Sequence, residues 1–239
     1  MEAIVLAGGL GTRLRAAVPD LPKPMAPVGG RPFLERLLDY WIAQGVKRFI
    51  LSTGYRHEAI AAHFGAAFHG AAIRQVVEDR PLGTGGGLLL ARGALSRTGT
   101  FLVLNGDTFF EVALESLRDF HSARKADATL ALFRSPQQGR YAGVSLGKEG
   151  QVRSLNAGKK GGLANGGVYL MEPGLLEGGP WQPQEAVSLE EDILPFALGA
   201  RKRVYGMECA GRFLDIGVPE DYARAAAVLA ARPETETRR

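Results

Sequence analysis

The run Ile4-Val-Leu-Ala-Gly-Gly-Leu-Gly-Thr-Arg13, followed by Leu21-Pro-Lys-Pro-Met25, restricts the fold more than any other stretch of the 239 residues. A short apolar strand passes straight into a glycine-rich loop that ends on a cation. A second cation sits on a proline-braced segment. Gly8, Gly9 and Gly11 carry no side chains, so the backbone can approach a polyphosphate and point N–H donors at it. Arg13 and Lys23 supply compensating charge, Arg13 through a fork suited to phosphate oxygens. A tight turn alone does not call for those cations. Leu6, Ala7, Gly8, Gly9, Gly11 and Thr12 therefore read as a grip on a nucleoside triphosphate.

Two other glycine loops fail on spacing. A dinucleotide fingerprint begun at Gly9 and Gly11 requires a small residue at position 14, where Leu14 stands. A Walker A loop requires Gly-Lys-Ser/Thr, but Gly147-Lys148 is followed by Glu149 and Gly158-Lys159 by Lys160. The net charge of +4 comes from scattered basic residues. That argues against a nucleic-acid groove or a polybasic membrane patch, and anionic small substrates suffice to explain it. The single cysteine, Cys209, rules out an intramolecular disulfide framework and a Cys-rich metal site, leaving a half-buried thiol as its reading. No apolar run approaches the roughly 20 residues of a membrane span. The start, Met1-Glu2, carries an acid where a secretory leader carries cations. A soluble cytoplasmic protein is expected, with no membrane or nucleic-acid partner; self-association stays open.

Short apolar runs alternate with helical patterns through the first half. Strands are expected at Ala3–Leu6, Arg48–Ser52, Ile73–Val77 and Phe101–Leu104, with helices at Phe33–Gln44, Glu58–Phe64 and Gly86–Leu95. Such alternation implies right-handed βαβ crossovers and a Rossmann-like α/β fold, its mainly parallel sheet covered by helices on both faces. Ligands in these sheets bind beyond the carboxyl ends of the strands, where the glycine loop lies. After Asp127 the texture turns α+β. Strands are expected at Ala128–Phe133, Ala142–Leu146, Val152–Leu155, Gly167–Met171, Val204–Glu208 and Phe213–Ile216, and helices at Leu189–Leu198 and from Pro219 to about Ala231. The reading is one domain over 1–232, a nucleotide half (1–126) and a sugar-phosphate half (127–232), with a frayed tail at 233–239.

Two apolar strands end in acids. Asn105-Gly-Asp107 closes the first, where a hard oxygen ligand facing the crevice suits Mg²⁺, though the same letters serve a turn. Asp215, in Phe213-Leu-Asp-Ile-Gly-Val-Pro-Glu-Asp-Tyr222, closes the second, where a helix-capping acid is the plain alternative. Pro81-Leu-Gly-Thr-Gly-Gly-Gly87 follows a strand and can lay its backbone against a flat base, with N–H groups at the next helix start open to phosphate. Glu78 just upstream is equally a base contact, a sugar contact or a solvated acid. His57, His63, His69 and His121 have neither a triad partner nor zinc spacing and read as surface histidines, with a peripheral nucleotide role open for Arg56 and His57 after Ser52-Thr-Gly-Tyr55.

These motifs together resemble the sugar-1-phosphate nucleotidylyltransferases, whose signature Gly-Gly-x-Gly-Thr-Arg…Pro-Lys is matched by Gly8–Arg13 and Pro22-Lys23. The likeness extends over nearly the whole chain and implies the nucleotide-diphospho-sugar transferase fold with a small α+β sugar-binding lobe. It implies a Mg²⁺ shared by Asp107 and Asp215, Arg13 on the departing pyrophosphate and Lys23 near the α-phosphate. It implies further that Gly83 and Thr84 touch nucleotide and sugar, and that Gly143 and Asn165 touch the sugar. Glu191 and Asp192 are candidates for the sugar hydroxyls, although acids in the first turn of a helix at Leu189–Leu198 are also favoured by the helix dipole alone. Lys159 would neutralise the sugar phosphate, although relatives carry an acid before that lysine where this chain has Gly158, so Lys160 is an alternative. Within the family, Asp-Ile-Gly-Val-Pro-Glu-Asp-Tyr and Leu-Pro-Lys-Pro-Met-Ala-Pro-Val resemble the D-glycero-D-manno-heptose 1-phosphate guanylyltransferases. That points to GTP and a heptose 1-phosphate as substrates, with mannose-1-phosphate guanylyltransferases and muramic-type uridylyltransferases as rivals. A non-catalytic nucleotide-sugar sensor would tolerate loss of Arg13, Lys23, Asp107 and Asp215, and all four are present.

Overall fold

The computed structural model describes residues 1–11, 14, 18–96, 99–135, 141–155 and 162–230. Its centre is an eight-stranded sheet. The strands are β1 (Glu2–Ala7), β2 (Arg48–Thr53), β3 (Ala67–Phe68), β4 (Ala71–Val77), β5 (Phe101–Asn105), β6 (Ala128–Arg134), β7 (Leu163–Met171) and β8 (Val204–Glu208). Their spatial order is β8-β6-β7-β5-β1-β2-β4-β3. β1 runs parallel to β2 and β5, β2 to β4, and β6 to β8. β7, inserted between β5 and β6, and the edge strand β3 run the other way. The sheet is thus mainly parallel, and β7 stitches strands from both halves of the chain into it.

Alternation along the strands divides the core in two. Ala3, Val5, Phe49 and Leu51 face a cluster built with helix α1 (Phe33–Ala43), whose Phe33, Leu34, Leu37, Leu38 and Trp41 recur at helical spacing and are buried. Ile4, Ile50, Val103 and Tyr169 face the opposite cluster, with Leu88, Leu189 and Ile193. Burial on both faces explains why these strands read as unbroken apolar runs. The remaining helices are α2 (His57–Phe64), α3 (Gly83–Ala91), α4 (Leu114–Ala123), α5 (Leu194–Gly199) and α6 (Pro219–Ala230). Among the described residues, no helix is long and apolar enough to cross a membrane.

Several elements depart from expectation: β3 is unforeseen, β7 begins at Leu163 and not Gly167, and the helix expected at Leu189–Leu198 divides into a turn at Leu189–Ile193 and α5. α4 is unforeseen: its buried face is only Leu114, Leu117 and His121, too sparse a pattern to show in the sequence. The strand expected at Ala142–Leu146 shrinks to Ser145–Leu146, with Gly143 on an isolated bridge to Ala164. α3 begins at Gly83, so the glycine run forms a helix and not a loop. Each interior glycine costs a helix about 1 kcal/mol relative to alanine, yet packing demands them. A Cβ on Gly85 would lie 2.9 Å from the Ser188 backbone carbonyl carbon, and one on Gly86 2.7 Å from the Glu185 carbonyl oxygen.

Gly86→Ala weighs these effects against each other. The helix gains up to about 1 kcal/mol, but a rigid backbone carbonyl must move, at a cost of about 1–3 kcal/mol. A net loss of stability is expected, read as a lower urea midpoint with unchanged slope.

Candidate active site

The chain leaves β1 for β2 and β4 on one side and returns to β5 on the other, so the carboxyl ends of β1 and β5 flank a topological switch point. The Gly106 N–H donates to the Leu6 carbonyl at 2.8 Å and holds the two strand ends together. A pocket of about 260 Å³ opens there. It is walled by Leu6, Ala7, Gly8, Gly9, Lys23, Pro24, Glu78, Pro81, Gly83, Thr84, Asn105 and Asp107. The strand–glycine segment, Lys23, the Gly83–Thr84 pair and the acid after β5 therefore share one cavity. Thr12, Arg13, Lys159 and Lys160 lie outside the described residues.

Lys23 opens a single tight turn, Lys23–Met25, between Pro22 and Pro24. Its side chain is only 9% exposed, and its Nζ lies 2.5 Å from Asp107 Oδ2 and 3.8 Å from Asp215 Oδ1. Gly11, at φ +59°, admits the lysine stem, since a Cβ there would lie 2.9 Å from Lys23 Cβ. The two acids are brought together by a small antiparallel ribbon, Thr108–Phe110 against Phe213–Asp215, in which Asp215 pairs with Thr108. The Ile216 N–H donates to the Asp107 carbonyl at 3.1 Å and closes it.

The donor set fits Mg²⁺. Two carboxylates converge on the Lys23 ammonium, so positive charge is accommodated at that point. Mg²⁺ commonly takes one or two carboxylates and completes its shell with water and substrate phosphates. No cluster of three or more Asp, Glu, His or Cys occurs among the described residues, so protein ligands alone would leave that shell open.

Glu78 follows β4 and is buried in the pocket wall. Its Oε1 accepts from Ser52 Oγ at 3.0 Å and its Oε2 from the Leu82 N–H at 3.1 Å. Gly8 packs directly on it, since a Cβ there would fall 2.2 Å from Oε1. Desolvation raises its pKa above the ordinary carboxylate value, against the lowering effect of those two hydrogen bonds. Beside it, the Asn105 Oδ1 is buried and has no hydrogen-bond partner among the described residues.

A polar chain leads from the pocket toward β7. Thr84 Oγ1 donates to Glu190 Oε2 at 2.8 Å, and the Tyr169 hydroxyl donates to Glu190 Oε1 at 2.7 Å. Asn165 Nδ2 donates to the Tyr169 oxygen at 2.5 Å, while its Oδ1 accepts from the Gly167 N–H. Burial, then the Glu190 charge, pushes the Tyr169 hydroxyl well above its usual pKa and keeps it a donor. The N–H groups of Gly85 and Gly86 both donate to the Val187 carbonyl, so these N–H groups of the first turn of α3 are spent on packing and not aimed at phosphate.

The nucleotidyl transferase family model matches residues 2–232. The chain belongs to that family. It is 40% identical over 229 residues to the D-glycero-alpha-D-manno-heptose 1-phosphate guanylyltransferase of Aneurinibacillus thermoaerophilus, covering 94% of this chain and 96% of that one. It is 37% identical to the mannose-1-phosphate guanylyltransferase of Mycobacterium tuberculosis, covering 96% of this chain and 64% of that one. The crystal structure of HddC from Yersinia pseudotuberculosis complexed with GMP-PN matches with a TM-score of 0.81 at 32% identity, covering 95% and 98% of the two chains. The family's nucleotidyltransferases generally use a divalent metal.

Among the expected sugar contacts, Asn165 lies at the same edge as Asn105 and is engaged with Tyr169 and Gly167. Glu191 is exposed, its backbone N–H on Ser188 Oγ, and the acid that reaches Thr84 and Tyr169 is Glu190. Leu189–Ile193 winds as a π-turn into α5, and that turn decides which of three successive acids faces inward. Residue spacing carries no sign of it. His57, His63 and His69 are not buried, but His121 is, bonded to Thr129 and Glu172 with its pKa lowered by desolvation. The Cys209 thiol is half-buried, and burial pushes it up to about 11.

Burial penalises the ionised form of Glu78, so its favourable contribution is complete below the ordinary carboxylate pKa and is lost as pH rises through the raised value. Glu78→Gln removes the charge and keeps an acceptor. The variant should melt above the wild type near pH 8, with the difference closing toward about pH 4. Thermal melts of the ligand-free protein across that range check the sign, and a difference that grows on acidification contradicts it.

Proposed function

We propose that the protein joins GTP to D-glycero-α-D-manno-heptose 1-phosphate, giving the GDP-sugar and pyrophosphate. The observation that carries this reading is the union, in one pocket, of the buried Glu78 carboxylate with the Lys23–Asp107 cluster. Guanine presents two adjacent donors, N1–H and the 2-amino group, which a carboxylate can accept together. Uracil and thymine present one N–H between carbonyls, and adenine and cytosine present an amino group beside an acceptor nitrogen. Lone pairs on Glu78 beyond those used by Ser52 and Leu82 therefore favour guanine, and a bidentate pairing is worth about 1–3 kcal/mol of discrimination. The full-length similarity to a heptose 1-phosphate guanylyltransferase supports both base and sugar.

The nucleophile is a phosphate oxygen of the sugar phosphate, already ionised near neutral pH, so no side-chain base is required. It attacks the α-phosphorus in line; one O–P bond forms and the bond to the β-phosphate oxygen breaks. Catalysis is then positioning and charge neutralisation. The glycine backbone at Gly8 and Gly9 receives the phosphates, Lys23 neutralises the α-phosphate and Arg13 the departing pyrophosphate. Asp107 and Asp215 would hold Mg²⁺, which supplies Lewis-acid neutralisation of phosphate charge. Glu190, fixed by Thr84 and Tyr169, would reach the sugar together with Asn165, while Gly143 and Lys159, or Lys160 in its place, would complete the sugar-phosphate side. The reading places the enzyme in the cytoplasm with its triphosphate substrate.

A second reading takes mannose 1-phosphate as acceptor and rests on the mannose-1-phosphate guanylyltransferase relative. Mg²⁺-dependent pyrophosphate release decides, with GTP, UTP, dTTP, CTP and ATP crossed against heptose, mannose, glucose and N-acetylmuramic 1-phosphates. The highest kcat/KM is expected for GTP with the heptose. Preference for UTP would overturn the base assignment. Glu78→Gln, whose amide matches the acceptor–donor edge of uracil, should lower the GTP-to-UTP ratio about ten- to a hundredfold. Asp107→Asn should cost about a hundredfold or more in kcat with little change in melting temperature.

A further inference from the structure

Lys23 occupies a built seat. Its nearly buried ammonium spans Asp107 and Asp215, at 2.5 and 3.8 Å. A Cβ on Gly217 would fall 2.2 Å from Nζ and 2.9 Å from Asp215 Oδ1, so the ammonium and the carboxylate both pack directly on this glycine. The Gly217 N–H also holds Asp215 Oδ1 at 2.7 Å, keeping that carboxylate in place. The ribbon that pairs Asp215 with Thr108 brings two carboxylates together, and the Lys23 ammonium offsets their repulsion. A divalent ion on the same two acids would lie a few ångströms from that ammonium, where like charges repel strongly.

We propose that Lys23 is the resident counter-ion of the Asp107–Asp215 pair and excludes divalent metal from the free protein. When a triphosphate enters, the ammonium transfers from the carboxylates to the phosphates, and the acids become available to the metal. This rests on the triphosphate reading of the pocket. Metal and nucleotide then bind with positive coupling, each raising the other's affinity by the same factor. Lys23 is in this respect a positioning residue for the metal, in addition to its place at the phosphate.

The test is Mn²⁺ binding to the protein without nucleotide, followed by the loss of free-ion signal in electron paramagnetic resonance. The wild type should bind Mn²⁺ weakly. Lys23→Met keeps the apolar stem and removes the charge, and it should bind Mn²⁺ about tenfold tighter or more. Adding Asp215→Asn to that variant should return binding to the weak level. A non-hydrolysable GTP analogue should tighten Mn²⁺ binding to the wild type much more than to Lys23→Met. A folded Lys23→Met that binds Mn²⁺ no better than wild type overturns the proposal. Should Lys23→Met be poorly folded without metal, Mn²⁺ must raise its melting temperature more than that of the wild type; equal shifts overturn it as well. The nucleotide-free titration is independent of which triphosphate is used, so a different base preference in the pyrophosphate assay would revise the substrate and leave this result standing.

Discussion

The parallel pairing of β1 with β5, closed by the Gly106 N–H on the Leu6 carbonyl, is the contact on which the pocket depends. It sets the strand that feeds the glycine segment beside the strand that feeds Asp107. A Cβ on Gly106 would lie 2.8 Å from the Leu6 oxygen, so the approach is as close as backbone allows. β4 delivers Glu78 to the same edge, and the antiparallel β7 starts there, bringing Asn165 within the neighbourhood of Asn105. Glu78, Asn105 and Asp107 are thus placed by strand ends or the residues just beyond them, whereas Lys23 comes from the turn Lys23–Met25 and Thr84 from the first turn of α3.

Charge inside this crevice is arranged against its own solvation. Glu78 is buried with two hydrogen bonds and no cationic partner among the described residues, and desolvation raises its pKa. A ligand with two N–H donors would return what burial removes, so the unfavourable acid in the free protein becomes a discriminating one in the complex. The Lys23–Asp107–Asp215 cluster follows a related logic. Two acids forced together require a cation, and the free protein supplies one from its own chain. Tyr169 and Glu190 form the third such unit, where a wholly buried hydroxyl fixes an acid in one orientation.

Much of this was legible in the residues. The central strands, α1 and α6 follow from local periodicity, which burial on two faces of a sheet imposes directly on sequence. The glycine segment, Lys23 and Asp107 announce themselves because few other roles combine small residues, cations and a strand-end acid. α4 escaped because its buried face holds only three side chains. The start of α3 is hidden because four glycines within five residues, Gly83, Gly85, Gly86 and Gly87, disfavour helix locally, and the reason for them, contact with Glu185 to Ile193, lies about a hundred residues away.

What the sequence determined by itself is the α/β alternation, the family and the chemical types present at the pocket. Those properties are local: each is written in spacing over a few residues or in one contiguous motif. Tertiary structure alone decided that Glu190 and not Glu191 meets Thr84 and Tyr169, that Glu78 is a buried acid and not a solvated one, and that Lys23 rests between two carboxylates. Each of those depends on pairing between strands and turns far apart in the chain, through the ribbon at Asp215, the π-turn at Leu189 and the close packing of Gly8 and Gly217. Desolvation and charge balance are properties of that assembled environment, and no spacing rule contains them.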